Sequence, residues 1–396
     1  MDSYTRFMPN DGGRLTQGCE NVTHNDRVAT NPLTGERLVI RECISNLVDS
    51  ARLDVLRTLD EQPMSPSAIH NRGLLTRQTA SKHLTQFTER GLAKPAGDQG
   101  GYELTASGKL TLNALEDCLK EIDQEQLAAL TRATHSLGLL QALSTGEARP
   151  RDLTDVAGSP SRATVQRALQ TFETAGWTTT AHGSNRLTPA GERVLTAYDE
   201  LAVTIEQVME KAPWLQRLSP TRADVPAHAL EEAKVVESGP DSPGIVLGAA
   251  LNLCDPRLKQ FRALTSIFNP TLFRAYDALL KLGLAGEAIV DKSVGTHLHE
   301  AGLEHFLDDS SYDNFQIFRL DEPLTLGIGL YDDRKVAIGS YNERGDGDHI
   351  AMLVSSDDAL VKWGEQLYET YKAQARPALE NSPGIATDAT PNQRFS

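Results

Sequence analysis

A repeated pattern is the feature that most limits what this chain of 396 residues can fold into. Segments 75–92 and 161–177 each place three apolar residues at helical spacing, with polar residues on the other side, and each then reaches a Gly. Each copy continues through a short polar stretch into a Leu-Thr-x-x-Gly segment, at 104–108 and at 187–191. The apolar triads are Ala80, Leu84 and Phe87 in the first copy, and Val165, Leu169 and Phe172 in the second.

This order of elements predicts a winged helix-turn-helix, and it predicts two in tandem, over 43–122 and 123–212. In the first copy Ser65-Pro66 suits the start of a short helix, because Ser caps a helix and Pro fits its first turn. Gly91 suits the end of the next helix. In such a motif the second helix enters the major groove of DNA, so double-stranded DNA is the expected partner.

The polar face of each predicted recognition helix supplies the candidate contacts. Gln can bond adenine with both ends of its amide, and Arg or Lys can bond guanine or phosphate. With the apolar triads pointing inward, the predicted DNA-contacting residues are Arg77, Gln78, Thr79, Ser81, Lys82 and Thr85 in the first module and Arg162, Thr164, Gln166 and Arg167 in the second.

Charge is distributed unevenly along the chain. Acidic residues outnumber basic ones, 54 against 39, and the net charge is −15, so contact with a polyanion requires local basic patches. Between Met64 and Pro95 there are five basic residues and one acidic residue, a reversal of sign that is typical of a nucleic-acid-binding surface. Segment 149–193 has six basic residues against four acidic ones. Ala163 replaces the Gln78 of the first module, so the second module could bind DNA or form a dimer interface.

The rest of the chain completes an α+β prediction: two tandem winged helix-turn-helix modules followed by a C-terminal α/β regulatory domain. Residues 1–42 are polar and predict a flexible extension with room for one short hairpin. Residues 213–232 contain three Pro and predict a linker. Short apolar runs alternate with helical patterns over 233–376, and the tail 377–396 has the composition of a disordered segment.

Several stretches of the C-terminal region resemble a known family. Tyr331-Asp332-Asp333 reads as a strand entering a hairpin turn, and Trp363 with Leu367-Tyr368 reads as a helix packed on a sheet. With these two features, residues 234–375 resemble the archaeal winged-helix regulators that carry the domain named after the methanogenesis regulator FilR. The resemblance implies a transcription regulator whose C-terminal domain senses an effector or dimerises. The matching stretches are 243–245, 264–272, 286–290, 324–333, 336–341 and 359–368.

The sequence carries no motif of an enzyme or of a bound cofactor. It has no GxSxG, no HExxH and no phosphate-binding loop, so we predict neither catalysis nor a cofactor. His297 and His299, with His305 nearby, diverge by about 200° on a helix and do not predict a metal site. Segment 346–349 is interpreted as a hairpin loop. The four Cys are scattered without a CxxC, which predicts neither a zinc ribbon nor a disulfide framework.

The chain has no signal segment and no membrane-length apolar run, which predicts a cytoplasmic protein without a membrane partner. A homodimer is expected, because dimers match palindromic operators. An unidentified small-molecule effector could bind between the helix of Trp363, Tyr368 and Tyr371 and the strands beside it. Three alternatives stay open. One is a protein–protein scaffold without DNA binding, favoured if the basic faces are buried against the C-terminal domain. The others are an enzyme with a C-terminal active site, for which the sequence has no motif, and a metal-responsive regulator.

Overall fold

The computed structural model describes residues 27–97, 100–156, 158–307, 311–322, 324–341 and 349–378. The first 26 residues of the predicted extension, the loop 346–348 and the tail from 379 onward therefore lie outside the described residues.

The first module has the predicted order of elements, preceded by a hairpin and an additional helix. Its helix-turn-helix consists of α3 and α4, and its wing consists of β3 and β4. The elements are β1 (Val28–Asn31), β2 (Glu36–Val39), α1 (Ile40–Leu47), α2 (Ser50–Glu61), α3 (Pro66–Asn71), α4 (Arg77–Glu89), β3 (Ala93–Pro95), β4 (Tyr102–Leu104) and α5 (Ala106–Cys118).

The second module repeats this order, which confirms the tandem arrangement. A single 3₁₀ turn, Asp152–Asp155, takes the place of α3. The first helical segment of this module is divided in two around Ala133, whose backbone is extended. The elements are α6 (Gln124–Arg132), α7 (Ser136–Ser144), α8 (Arg162–Thr174), β5 (Thr178–Ala181), β6 (Ser184–Leu187) and α9 (Pro189–Glu210).

The Leu-Thr-x-x-Gly segment ties the wing of the first module to the end of its recognition helix. Thr105 accepts a hydrogen bond from the Gly108 backbone N–H (3.2 Å), and this caps α5. The same hydroxyl donates to the Gly91 carbonyl at 2.6 Å, just past the end of α4. Gly91 has φ +76°, a conformation that suits Gly because it lacks a Cβ. The three groups form what we call the Thr–Gly latch.

The second module contains the same latch at the matching positions. Thr188 accepts from the Gly191 N–H at 3.2 Å and donates to the Gly176 carbonyl at 2.7 Å. The close approach of a backbone carbonyl explains why the Leu-Thr-x-x-Gly segment ends in Gly. A Cβ on Gly108 would lie 2.0 Å from the Leu92 carbonyl oxygen, and a Cβ on Gly191 would lie 2.1 Å from that of Trp177.

The C-terminal region forms one eight-stranded mixed sheet, in the order β14-β10-β9-β8-β11-β12-β13-β7. Strands β8, β9 and β10 run parallel, and the remaining pairs are antiparallel. The elements are α10 (Ala212–Leu215), β7 (Lys234–Glu237), α11 (Ile245–Leu251), β8 (Gln260–Thr265), α12 (Pro270–Lys281), β9 (Ala285–Asp291), α13 (Lys292–Glu300), β10 (Phe315–Leu320), β11 (Leu326–Tyr331), β12 (Lys335–Tyr341), β13 (His349–Ser355), α14 (Asp358–Lys372) and β14 (Arg376–Pro377).

The two faces of this sheet belong to two different cores. The inner face packs against α14 and α10, and its side chains join a continuous apolar cluster that also contains both winged modules. The outer face is covered by α11, α12 and α13 and has a separate aromatic-rich cluster. Trp363 and Tyr368 are buried in the inner cluster, as the helical spacing of α14 predicted.

The turn between β11 and β12 has the predicted position and an unusual backbone. Asp332 and Asp333 both have positive φ, 53° and 52°, the geometry of a type I′ hairpin turn. The Asp332 carboxylate accepts hydrogen bonds from the backbone N–H groups of Lys259 and Gln260, at 2.9 and 3.0 Å. These bonds hold the turn against the start of β8.

The segment predicted as a linker, 213–232, is instead packed into the core. Trp214 is fully buried, and its indole Nε1 donates to the Ile338 carbonyl at 2.9 Å. The ring also meets Trp363 edge-to-face, with 6.4 Å between centroids. The prediction was wrong because Pro content alone does not reveal that apolar residues between the prolines have a surface to pack on.

The two ends of the described chain also differ from the prediction of flexibility. Ala29 and Asn31 of β1 are fully buried against α9, and the Asn31 side-chain amide donates to the Arg90 carbonyl. At the other end, Arg376–Pro377 adds a two-residue strand beside β10. Both segments are ordered by contacts with distant parts of the chain, which local polarity does not predict.

The latch yields a stability prediction. Gly108→Ala or Gly191→Ala should lower the free energy of unfolding by about 1–3 kcal/mol, because the new methyl group must displace a backbone carbonyl. Urea unfolding followed by circular dichroism measures the loss. Gly248→Ala in α11 is the matched control, since its Cβ meets nothing within 4 Å. Equal stability of all three variants would contradict the role given to the latch.

The buried His83 of α4 yields a pH prediction. Burial, and secondarily the charge of Arg52, lowers the His83 pKa below the value of about 6.5 that is usual for histidine. The unfolded chain therefore binds this proton more readily. The stability that neutral His83 supports is present above pH 6.5 and is lost as the pH falls through the folded pKa. Unfolding midpoints measured from pH 7.5 to 5 should fall more steeply for wild type than for His83→Leu, and parallel slopes would contradict this.

Candidate DNA-binding surface

Recognition helix α4 is fixed in place by its cap and by its apolar side. Thr76 accepts a hydrogen bond from the Thr79 backbone N–H at 3.2 Å and so begins the helix. Ala80, Leu84 and Phe87 are all buried, as the triad pattern predicted. The opposite side of the helix is consequently turned to solvent.

The predicted contact residues of α4 form one open surface. Arg77, Gln78, Ser81, Lys82 and Thr85 are exposed, and Thr79 is half-buried. Gln86 and Glu89 complete the same surface. Sequence reasoning did not include Glu89, although its position four residues after Thr85 places it on this side. A carboxylate here repels phosphate and limits how far along α4 a backbone contact can extend.

The three threonines in the predicted set already use their hydroxyls in hydrogen bonds within or at the start of their own helices. The Thr79 hydroxyl lies 2.8 Å from the hydroxyl of its cap Thr76, and the Thr164 hydroxyl lies 2.9 Å from that of its cap Ser161. Thr85 donates to the Ser81 carbonyl at 3.0 Å. These hydroxyls can still accept a hydrogen bond, but they are less free than sequence spacing suggests.

The cations of the first module divide into paired and unpaired groups. Arg72 is 2.8 Å from Glu61, Lys94 is 3.5 Å from Glu103, and Arg90 is 3.9 Å from Glu36. Within the described part of the chain, Arg77 and Lys82 have no acidic partner. Of the five basic residues between Met64 and Pro95, these two are the ones without an acidic partner among the described residues, and both lie on the exposed face of α4.

The second module repeats this arrangement on α8. Ser161 caps the helix through the Thr164 N–H at 3.1 Å, and Val165, Leu169 and Phe172 point inward. Arg162, Gln166 and Arg167 are exposed, and Thr164 is half-buried. Arg162 and Arg167 form no ion pair with any described residue. Both predicted faces are therefore open, and each presents two unneutralised positive charges.

Other predicted or excluded sites can be located as well. His297 stacks on Phe268 at 5.8 Å between centroids, and His305 lies 3.2 Å from Asp277. No group of three or more metal-binding side chains occurs among the described residues. Within the described ranges, no helix has the length and apolar character needed to span a bilayer.

A cavity exists in the C-terminal sheet, but on the side opposite to the one the sequence suggested. The space between α14 and the sheet is filled by Trp363 and Tyr368. A cavity of about 80 Å³ lies instead on the outer face, beneath α12. Residues such as Phe261 and Ala337 line it, and nothing in the sequence separated such lining from ordinary core.

Two family models match the chain. Residues 252–374 match the middle domain of the methanogenesis regulatory protein FilR1. The HVO_A0261 N-terminal domain matches twice, over residues 41–127 and 124–210. The two copies of this second model fall on the two winged helix-turn-helix modules, and the first falls on the C-terminal sheet. No curated protein matches the chain.

Solved structures give distant matches, each with a TM-score of 0.30, at which the likeness carries no argument. TrmBL2, described as an archaeal chromatin protein with a novel mode of DNA binding, is 14% identical, with 66% of this chain and 98% of that chain covered. NucT from Helicobacter pylori is 14% identical, and a phospholipase D family member, Nuc from Salmonella typhimurium, is 16% identical. Each of those two matches covers 37% of this chain and 98% of the matched chain.

The order of the matched family models along the chain is the same as the order of the domains in the structure. Two modules of the HVO_A0261 N-terminal type are followed by a sheet domain of the FilR1 middle type. The resemblance noted in residues 234–375 is thereby confirmed. The chain thus has two domains similar to the HVO_A0261 N-terminal domain and one similar to the FilR1 middle domain, which identifies it as an archaeal regulator with a FilR-type C-terminal domain.

Proposed function

We propose that this regulator binds double-stranded DNA sequence-specifically, with α4 in the major groove. The observation that carries the proposal is the selective exposure of positive charge. Arg77 and Lys82 lack ion pairs among the described residues, whereas Arg72, Arg90 and Lys94 of the same module are neutralised by acids. Cations left free on the outward side of a recognition helix are positioned for phosphate or guanine.

The side chains of α4 take different roles in this proposal. Gln78, Ser81 and Lys82 face base edges, because their side-chain polar atoms make no hydrogen bond to any described residue. Arg77, at the N-terminal turn, contacts the phosphate backbone, and Thr79 assists it by accepting a bond. Backbone contacts position the helix, and base contacts give the specificity.

Helix α8 provides a second contact with a different chemistry. Its free cations, Arg162 and Arg167, bind phosphate, and Gln166 is its one exposed amide in the predicted set. Ala163 replaces the amide of Gln78 with a methyl group, which suits apolar contact with thymine. The chain acts as a homodimer on a palindromic site, and an effector at the C-terminal domain alters operator affinity.

The scaffold alternative is less well supported. A scaffold function would be favoured by basic faces that are buried against the C-terminal domain. Arg77, Lys82, Arg162 and Arg167 are all exposed, so that condition is not met. An enzyme is not proposed, because the family model that matches the C-terminal sheet describes a domain of a regulatory protein.

Charge reversal on α4 tests the first module. Lys82→Glu should weaken binding to a duplex selected from a random pool by at least about tenfold and should lower the log–log salt slope by about 1, because one phosphate or base contact becomes repulsive. Fluorescence anisotropy across a salt series measures both. Lys120→Glu makes the same change of charge at an exposed position paired with Asp117, away from both recognition helices, and should retain most of the affinity.

The outcomes separate the two functions. Equal losses in Lys82→Glu and Lys120→Glu would mean that only net charge matters and that α4 is not the reading helix. If wild type selects no sequence over random DNA at any salt concentration, the proposal is wrong and the scaffold function takes its place.

A second pair of reversals tests the second module. Arg162→Glu combined with Arg167→Glu should weaken the same complex and reduce the salt slope by about 2, since two phosphate contacts are lost. Sedimentation velocity of the double variant checks that its oligomeric state is that of wild type. Unchanged affinity would remove α8 from the DNA interface, and a shift to monomer would place it in the dimer interface.

A further inference from the structure

The cavity on the outer face of the C-terminal sheet is a candidate binding site. It has a volume of about 80 Å³ and lies between strands β8, β9, β11 and β12 and the helices α11 and α12. Small residues form its floor, among them Ala263, Ala288 and Ala337. Aromatic rings, including Phe261 and Phe273, form its walls. Protein interiors are close-packed, so a space of this size is uncommon.

The lining determines which ligands are acceptable. None of the described residues that line the cavity is charged. A carboxylate or phosphate placed there would lose its hydration without gaining an ion pair, which is strongly unfavourable. The site therefore excludes nucleotides, organic acids and other anions, and it favours an uncharged molecule.

Two tyrosine hydroxyls supply the polar group of the site. Tyr276 and Tyr331 both line the cavity, and their hydroxyl oxygens are 2.9 Å apart. Gly329 allows this arrangement, because a Cβ there would lie 2.6 Å from the Tyr331 oxygen. A hydroxyl has one proton and two acceptor positions, so the bond between the two hydroxyls leaves the pair one proton and three acceptor positions.

We propose that this cavity binds a small uncharged apolar molecule with a single hydroxyl or carbonyl group, and that its occupancy changes DNA affinity; the second part rests on the proposed function. An apolar cavity of about 150 Å³ can hold benzene. The volume here is about half of that, so it fits an alcohol or ketone of two or three carbon atoms and is too small for a sugar.

A direct connection leads from the cavity to the DNA-binding half. Ala337 and Gly339 of β12 line the floor, and the carbonyl of Ile338, between them, accepts the indole bond of Trp214. Trp214 belongs to α10, which directly follows α9. A ligand that shifts β12 therefore acts on Trp214 and through it on the helix that both modules share.

Ligand binding is tested on the full chain without DNA. The probes are propan-1-ol and propanoate, which share a carbon skeleton and differ in charge. Ligand-observed NMR titration should give saturable binding of the alcohol and at least tenfold weaker binding of the carboxylate. Ala337→Leu adds three carbon atoms to the floor and should abolish alcohol binding. If circular dichroism shows that this variant does not fold, Ala288→Val provides a smaller filling change.

Three results would overturn the site: no saturable binding of the alcohol, equal binding of alcohol and carboxylate, or unchanged binding in a folded Ala337→Leu or Ala288→Val variant. Tyr331→Phe removes one of the two hydroxyls. It should weaken binding of the alcohol, and full retention would exclude the tyrosine pair from the site.

The effect on DNA is tested separately. The alcohol should change the anisotropy-measured DNA affinity of wild type by at least about threefold and leave that of Trp214→Phe unchanged. Alcohol binding without any effect on DNA affinity would overturn the regulatory half alone. If the chain binds the alcohol but selects no DNA sequence, the binding site is supported and the proposed function is wrong.

Discussion

The apolar side chains along α9 have to be shielded from water over the whole length of the helix. The elements that shield them determine how the two modules and the sheet pack together. The helix has 22 residues and is about 33 Å long. Its buried side chains, among them Tyr198, Leu201 and Ile205, occur at helical spacing. Helices α5 and α1 and strand β1 of the first module cover one part, and α7 and β6 of the second module cover another. The two modules thus share one core, and α10 continues that core into the sheet.

Much of the winged-helix half could be predicted because its determinants are local. Thr105 and Thr188 cap helices from within their own segments, and Gly108 and Gly191 are required by a carbonyl that lies close to them in every copy of the turn. The apolar triads of α4 and α8 fix which side of each helix is exposed. A pattern that repeats with the same chemistry therefore predicts both the fold and the face that carries the candidate contacts.

The remaining features depend on contacts between distant residues, and the sequence did not predict them. Segment 213–232 has the composition of a linker, yet Trp214 is buried because Ile338 and Trp363 lie beside it. Asn31 is buried beside Arg90, far along the chain. The cavity could not be predicted, because the same small and aromatic residues would read as core if the outer helices lay slightly closer to the sheet. Ion pairing is equally nonlocal, and it decides which cations of the first module are free.

The charge distribution has a consequence for how such a protein would search a genome. The chain carries a net charge of −15, while its free cations on α4 and α8 are few. Nonspecific affinity for DNA comes almost entirely from phosphate contacts. Most orientations of this protein therefore repel a duplex, and only an encounter through the cationic faces is attractive. If it binds DNA as proposed, a regulator built this way would spend little time on noncognate sequence and would find its target mainly by repeated three-dimensional encounters rather than by long one-dimensional sliding.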